Sequence, residues 1–422
     1  MQPQDLSTMA ELPLPAGVRS RTVPHVNGLC MHVLEAGFDQ PQTRGCVLLL
    51  NGFPELAYSW RKIMLPLAAA GYHVIAPDQR GYGRTTGWQA DVYADPSASS
   101  MMNLVRDAQA LLAACGYTHV EAVVGHDFGS PVAAWCALIR PDIFRAVVMM
   151  SAPFGGPPAW PVGTDANPAT LTPFERAVAE LASLTPPRQH YQWHYASAQA
   201  NDAMLHCAQG LPAFLRAYYH VKSADWTSNE PYTLDGISAA TLAQLPAYYV
   251  MDADKDMAAT VAPHLPTAAQ RAGCSWLTEA ELAVYCAEFA RTELQGGLDW
   301  YRCAIDRRQA DALRLFGGKT IDVPAGFIGG RSDWGVFQTP GAFEKMRELA
   351  CTQLRFCELI DGAGHWVQQE KPAEVSARLL QFLSEVSAQS GGTCRRVFYQ
   401  PRQLPTISTA RHYGITTGNK RR

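Results

Sequence analysis

The feature that most constrains this chain is a series of short apolar runs without polar alternation. They are CVLLL at 46–50, YHVIAP at 72–77, AVV at 122–124 and AVVMM at 146–150. A strand exposed on one face alternates apolar and polar residues, so these runs predict parallel strands covered on both faces. Helical patterns separate them, including Met101–Cys115 and Pro131–Arg140. Strands alternating with helices imply an α/β, doubly wound sheet. Ahead of these runs, Thr22–Val26 and Leu29–Leu34 are joined by Asn27-Gly28. That dipeptide tolerates positive φ at both turn positions and predicts a hairpin.

The rhythm stops after Ser151-Ala152-Pro153 and resumes at Val323–Ile328 and Leu354–Ile360. Between them, 154–322 is rich in Ala, Tyr and Trp with no comparable strand run, and Thr172-Pro173-Phe174-Glu175 has the form of a capped helix start. A helical insertion of this kind is expected to form a lid over the carboxyl ends of the strands, where such sheets bind ligands. Val375, Leu379 and Phe382 mark a last amphipathic helix. The expected organisation is a core of 1–153 and 323–386, a helical lid at 154–322, and a tail at 387–422. That tail has seven Lys or Arg, no acidic residue and no helical period, and reads as disordered.

Composition narrows the partners. With 35 basic and 38 acidic residues the net charge is −3, a poor balance for binding nucleic acid. No stretch approaches the roughly 20 apolar residues that cross a bilayer. The opening MQPQDLSTMAELPLPAG lacks a basic segment followed by an apolar run, so a cytoplasmic protein is expected. The 11 cysteines are scattered without zinc spacing and read as buried free thiols. Neither metal nor cofactor is expected.

Chemistry concentrates in three places. Val123-Val124-Gly125-His126-Asp127-Phe128-Gly129-Ser130 follows a strand and opens a helix, the setting of a nucleophile elbow with Asp127 at its tip. Asp333 follows the strand ending at Ile328, and His365 follows the strand ending at Ile360. All three therefore lie beyond strand carboxyl ends on one sheet edge, in the order nucleophile, acid, histidine. Singly, each reads as an ordinary turn or capping residue. Jointly, they read as a triad.

On these residues the chain resembles the α/β-hydrolase-fold epoxide hydrolases over roughly residues 20–386. GHDFGS resembles the family's nucleophile motif, and APDQRGYGRT at 76–85 its loop after a core strand. NGFP at 51–54 resembles its oxyanion motif, with Asn51 where that family usually has His. HYQWHY at 190–195 and DWYR at 299–302 resemble the two lid segments that carry paired tyrosines. The resemblance implies Tyr191 and Tyr301 as those tyrosines, with Tyr195 a neighbouring alternative to the first. It also implies a small hydrophobic epoxide as substrate.

Asp127 would open the ring as nucleophile, the tyrosines would assist the leaving oxygen, and His365 oriented by Asp333 would activate water to hydrolyse the ester. The backbone N–H groups of Phe53 and Phe128 would form the oxyanion hole. Trp193, Trp300 and Trp334 are candidates to line the substrate pocket or the core. Haloalkane dehalogenases share an Asp nucleophile but usually follow it with Trp, and fluoroacetate-type dehalogenases with Arg. Phe128 offers neither donor. A non-catalytic small-ligand-binding protein on the same fold is the remaining alternative.

Overall fold

The computed structural model describes residues 9–39, 44–89, 91–160 and 171–390. Eight strands form one sheet in the order β1-β2-β4-β3-β5-β6-β9-β10. They are β1 (Val18–Val26), β2 (Leu29–Ala36), β3 (Cys46–Leu50), β4 (His73–Pro77), β5 (Ala122–His126), β6 (Val147–Met150), β9 (Ala325–Gly330) and β10 (Leu354–Ile360). β1 and β2 form the hairpin, with Val26 paired to Leu29 across Asn27-Gly28. β2 runs antiparallel to β4, and the strands from β4 through β10 are parallel.

The unbroken apolar runs have a direct physical cause. In β3, Cys46, Leu48 and Leu50 enter one buried cluster while Val47 and Leu49 enter the other. β6 divides likewise, Val147 and Met149 against Val148 and Met150. Period-2 geometry sends successive residues to opposite faces, so a strand with two covered faces shows no polar alternation. The second cluster is closed by the helices Arg61–Ala69 and Pro372–Ser390, the latter through Val375, Leu379, Phe382, Leu383 and Val386. Each such side chain contributes about 2 kcal/mol relative to exposure.

The segment between β6 and β9 is mainly helical, and Thr172 caps Pro173–Glu180 in a capping box with Glu175. The expectation of no strand there needs correction. β7 (Arg188–His190) and β8 (Val250–Asp252) pair antiparallel. Three residues apiece, far apart in sequence and partly polar, leave no apolar run to detect. The last helix also reaches Ser390, inside the stretch expected as tail. The remainder of that stretch lies outside the described residues.

The described cysteines are free thiols, but the expectation of burial holds only in part. Cys46, Cys115, Cys136, Cys303 and Cys351 are buried, whereas Cys357 on β10 is exposed. No helix among the described residues is long and apolar enough to cross a membrane.

Candidate active site

β3 and β5 are neighbours in the sheet whose outgoing connections run in opposite directions, β3 to β4 and β5 to β6. At such a switch point the loops diverge and open a crevice at the strand ends. Asp127 sits there, between β5 and the helix Gly129–Ile139, with φ at +53°. The turn needs glycine on both sides. A Cβ on Gly125 would lie 1.9 Å from the Gly129 carbonyl oxygen, and one on Gly129 would lie 2.3 Å from that of Leu50. Gly52, on the loop after β3, faces the same crowding, because a Cβ would fall 2.4 Å from Asp127 Oδ1. Backbone this close to a side chain can donate to it, and Phe53 N–H does so to Asp127 Oδ1 at 2.9 Å.

The structure brings Asp127, Asp333 and His365 together. His365 Nε2 lies 3.1 Å from Asp127 Oδ2, and its Nδ1 lies 3.1 Å from Asp333 Oδ1. Asp333 Oδ1 also accepts from Gly335 N–H at 2.7 Å. A fourth residue, Ser151, lies among them. Its hydroxyl donates to Asp333 Oδ2 at 2.5 Å and stands 2.7 Å from His365 Nδ1. Ser151 directly follows β6 at φ +68°, and only its small size in a strand-end turn marks it in the sequence.

Burial alone would raise the Asp127 carboxyl, yet the bond to His365 and the charges of His365, Lys222 and His126 hold it well below the usual carboxylate range. Asp333 is buried too, and His365, Ser151 and the Gly335 N–H hold it low. Behind His365 stands a second buried pair, which sequence reasoning also missed. His126 Nδ1 lies 2.6 Å from Glu55 Oε2, and its Nε2 lies 2.6 Å from the His365 carbonyl oxygen. Burial opposes the charged imidazole, but Glu55 and Asp127 raise its pKa above the ordinary value. Gln368 and Gln369 donate to Glu55 as well, at 3.0 and 2.9 Å.

The Asn51 loop keeps its shape by other means than a histidine. Asn51 Nδ2 donates to the carbonyls of Gly52 and Glu55 at 3.2 and 3.1 Å, and Gln79 Nε2 donates to the Asn51 carbonyl at 2.6 Å. Phe128 N lies beside this loop, 2.6 Å from where a Gly52 Cβ would stand.

Above this edge the helices Tyr191–Tyr195 and Gln295–Ile305 supply an aromatic layer. Gly296 packs on Gly81 so closely that a Cβ would come within 2.2 Å of its carbonyl oxygen, which explains the glycine pair before DWYR. The close approach sets the Tyr301 ring edge-on to Phe53 and Phe128, at 5.6 and 5.2 Å. Tyr191 and Tyr195 lie 5.9 and 5.1 Å from Tyr301. The Tyr191 hydroxyl donates to Gln338 Oε1 at 2.9 Å, whereas the Tyr195 hydroxyl meets that of Tyr218.

Burial pushes the Tyr191 and Tyr301 phenols well above their ordinary value, and the negative charge of Asp127 adds to this. Trp300 joins the layer against Phe128, its indole N–H bonded to the Arg80 carbonyl at 3.0 Å. Trp334 packs on Tyr232, and Trp193 packs on His190 and Phe174. Among the described residues no group of three or more His, Cys, Asp or Glu could hold a metal ion.

A sheet of this order with an elbow after β5 and acid and histidine after β9 and β10 defines an α/β hydrolase, and that family's model matches residues 45–372. Epoxide hydrolase A of Mycobacterium tuberculosis is 32% identical over 377 residues, covering 87% of this chain and 98% of its own. An epoxide hydrolase of Caballeronia sordidicola is 31% identical, covering 86% and 93%. The solved epoxide hydrolase from an endophytic Streptomyces superposes with a TM-score of 0.71 at 30% identity, covering 89% of this chain and 97% of that one. The chain belongs to the epoxide hydrolases of the α/β-hydrolase fold.

Proposed function

We propose that this protein hydrolyses a small hydrophobic epoxide to a vicinal diol through a covalent ester on Asp127. One observation carries the reading. Asp127 has one oxygen bonded to a backbone N–H and the other facing the imidazole of His365, which Asp333 in turn holds.

In the first half-reaction Asp127 Oδ2 bonds to a ring carbon, the carbon–oxygen bond breaks, and its electron pair stays on the ring oxygen. That oxygen takes a proton from a lid tyrosine, Tyr301 with Tyr191. Carboxylate attack suits this ring, because displacement is driven by strain and needs no tetrahedral centre. Ester formation removes the charge that His365 Nε2 faces. The imidazole, held through Nδ1 by Ser151 and Asp333, is then oriented to take a proton from water.

In the second half-reaction that water adds to the Asp127 carboxyl carbon, and negative charge develops on Oδ1. Oδ1 is the atom that Phe53 N–H already touches, and Phe128 N–H is the second donor. Collapse releases the diol, whose former ester oxygen takes the proton from His365, and the second proton of the water, left on the Asp127 carboxyl, returns through solvent to the tyrosinate. Epoxide and water are consumed and the enzyme is regenerated.

The lid boundaries at 154 and 322 and a cytoplasmic setting belong to the same proposal. The direct test is a diol assay on styrene oxide with wild type and Asp127→Ala. Diol from wild type, and at least about 10³-fold less from the variant, is the expected result. Equal diol from both proteins would remove Asp127 from the mechanism.

A further inference from the structure

Gln338 is a buried amide that the two half-reactions leave unused, 9% exposed on the loop that carries Asp333. Its place is set by the triad's own turn. Asp333 caps the short turn Trp334–Val336 by accepting from Gly335 N–H at 2.7 Å, and Gln338 follows that turn by two residues. Gln338 Nε2 donates back to the Gly335 carbonyl at 3.4 Å, and its Oε1 accepts from the Tyr191 hydroxyl at 2.9 Å. A carbonyl can only accept, so Gly335 turns the amide nitrogen toward itself and the amide oxygen toward the tyrosine.

The Tyr191 side of this contact is equally determined. Its phenol oxygen accepts from Gln192 Nε2 at 3.3 Å, and its backbone N–H donates to the Tyr249 carbonyl at 2.9 Å. A hydroxyl has one hydrogen, and here that hydrogen lies on the bond to Gln338. A leaving oxygen that is to be protonated by Tyr191 must compete with the amide for it. The bond to Gln338 also exists only while the phenol keeps its proton, so giving the proton away forfeits it. Neither bond of Gln338 reaches Tyr301, whose ring stands 5.9 Å from that of Tyr191.

Ring opening moves one proton, and the two lid tyrosines are unlike sources for it. We infer that Gln338 is a positioning residue that withholds the Tyr191 hydrogen, so that Tyr301 is the principal donor to the leaving oxygen when the epoxide opens. This rests on the proposed ester mechanism, in which a lid tyrosine supplies that proton. Gln338 acts only through the hydroxyl it holds.

The test measures single-turnover alkylation by styrene oxide, read as intact mass, in the full chain carrying His365→Gln. In that background Tyr301→Phe should slow alkylation about 10²-fold, and Tyr191→Phe should cost at least about tenfold less than that. Gln338→Met keeps the stem's bulk and removes the amide acceptor. Combined with Tyr301→Phe, it should recover about fivefold of the lost rate, because Tyr191 is then free to donate. Adding Tyr191→Phe should abolish that recovery, and Gln338→Glu, whose side chain still accepts, should not produce it. A role in packing alone would leave the cost of Tyr301→Phe the same with either residue at 338.

If the His365→Gln parent forms no adduct, the ester mechanism and this inference fall together. If the parent alkylates but Tyr191→Phe comes within about tenfold of the Tyr301→Phe loss, the mechanism stands and the role given to Gln338 is overturned. No recovery with Gln338→Met, or equal recovery with Gln338→Glu, likewise overturns it. Where Gln338→Met does not fold, the comparison of Tyr191→Phe with Tyr301→Phe decides.

Discussion

Along the sheet edge, the carboxylates of Asp127 and Asp333 and the imidazole of His365 are each held by hydrogen bonds from backbone or buried side chains. Across from them the inserted segment offers mostly rings, and the buried hydroxyl of Tyr249 has no hydrogen-bond partner among the described residues. The first region fixes geometry through directional bonds. The second fixes it through edge-to-face packing, which specifies ring positions but leaves hydroxyls free to meet a ligand. Nucleophile and base need bonds of set direction before substrate arrives. A donor to a leaving oxygen needs its bond only when that oxygen forms.

Substitutions can test this division, and the largest effects belong to the bonded edge. His365→Gln should lower steady-state turnover by about 10³-fold or more while still permitting the first half-reaction. An adduct mass on intact protein after exposure to styrene oxide is the expected signature, and its absence would overturn the ester mechanism.

Tyr301→Phe should act on the other half. Single-turnover alkylation should slow by about 10²-fold while the melting temperature stays close to wild type, because only a hydroxyl leaves a packed ring. An unchanged alkylation rate would assign the ring to packing and shift the donor role to Tyr191 or Tyr195.

Ser151→Ala probes the edge more gently. One hydrogen bond to Asp333 is lost, and Asp333 keeps His365 and the Gly335 N–H, so turnover should fall about five- to tenfold. A loss as large as that of His365→Gln would make Ser151 part of the chemistry itself.

The smallest effect concerns the seam between the two regions. Glu370 accepts from the N–H groups of Ala224 in the insert and of Gly364 and Trp366 in the histidine loop, at 2.9, 3.0 and 3.0 Å. Burial pushes its carboxyl up from 4.5 to about 7, against the pull of those donors. A folded value above the unfolded one means that its contribution to stability is complete below the unfolded pKa and is lost as pH rises through about 7. Wild type should therefore lose more thermal stability between about pH 5 and pH 8 than Glu370→Gln does. Parallel melting curves for the two proteins would remove Glu370 from the pH response.

What the sequence by itself determined follows from how local each signal is. Strands buried on both faces show no polar alternation, so CVLLL and AVVMM announce β3 and β6 without reference to anything else. Asp127, Asp333 and His365 were legible because each follows such a strand, and a parallel sheet places all strand carboxyl ends on one side. The glycines around the elbow and ahead of DWYR have a reason that only the structure supplies, since close backbone contacts there exclude a Cβ.

Tertiary structure decided the rest. β7 and β8 are three residues each and find one another across some sixty residues of chain. Ser151 reads as a turn residue until Asp333 and His365, some 180 and 210 positions later, close on its hydroxyl. Lys222 ends an ordinary helix, and only folding sets its charge among aromatic rings and opposite carboxylates from three other loops. Periodicity and turn chemistry are properties of neighbours in sequence, whereas burial of a charge and the partners of a hydroxyl depend on segments brought together in space.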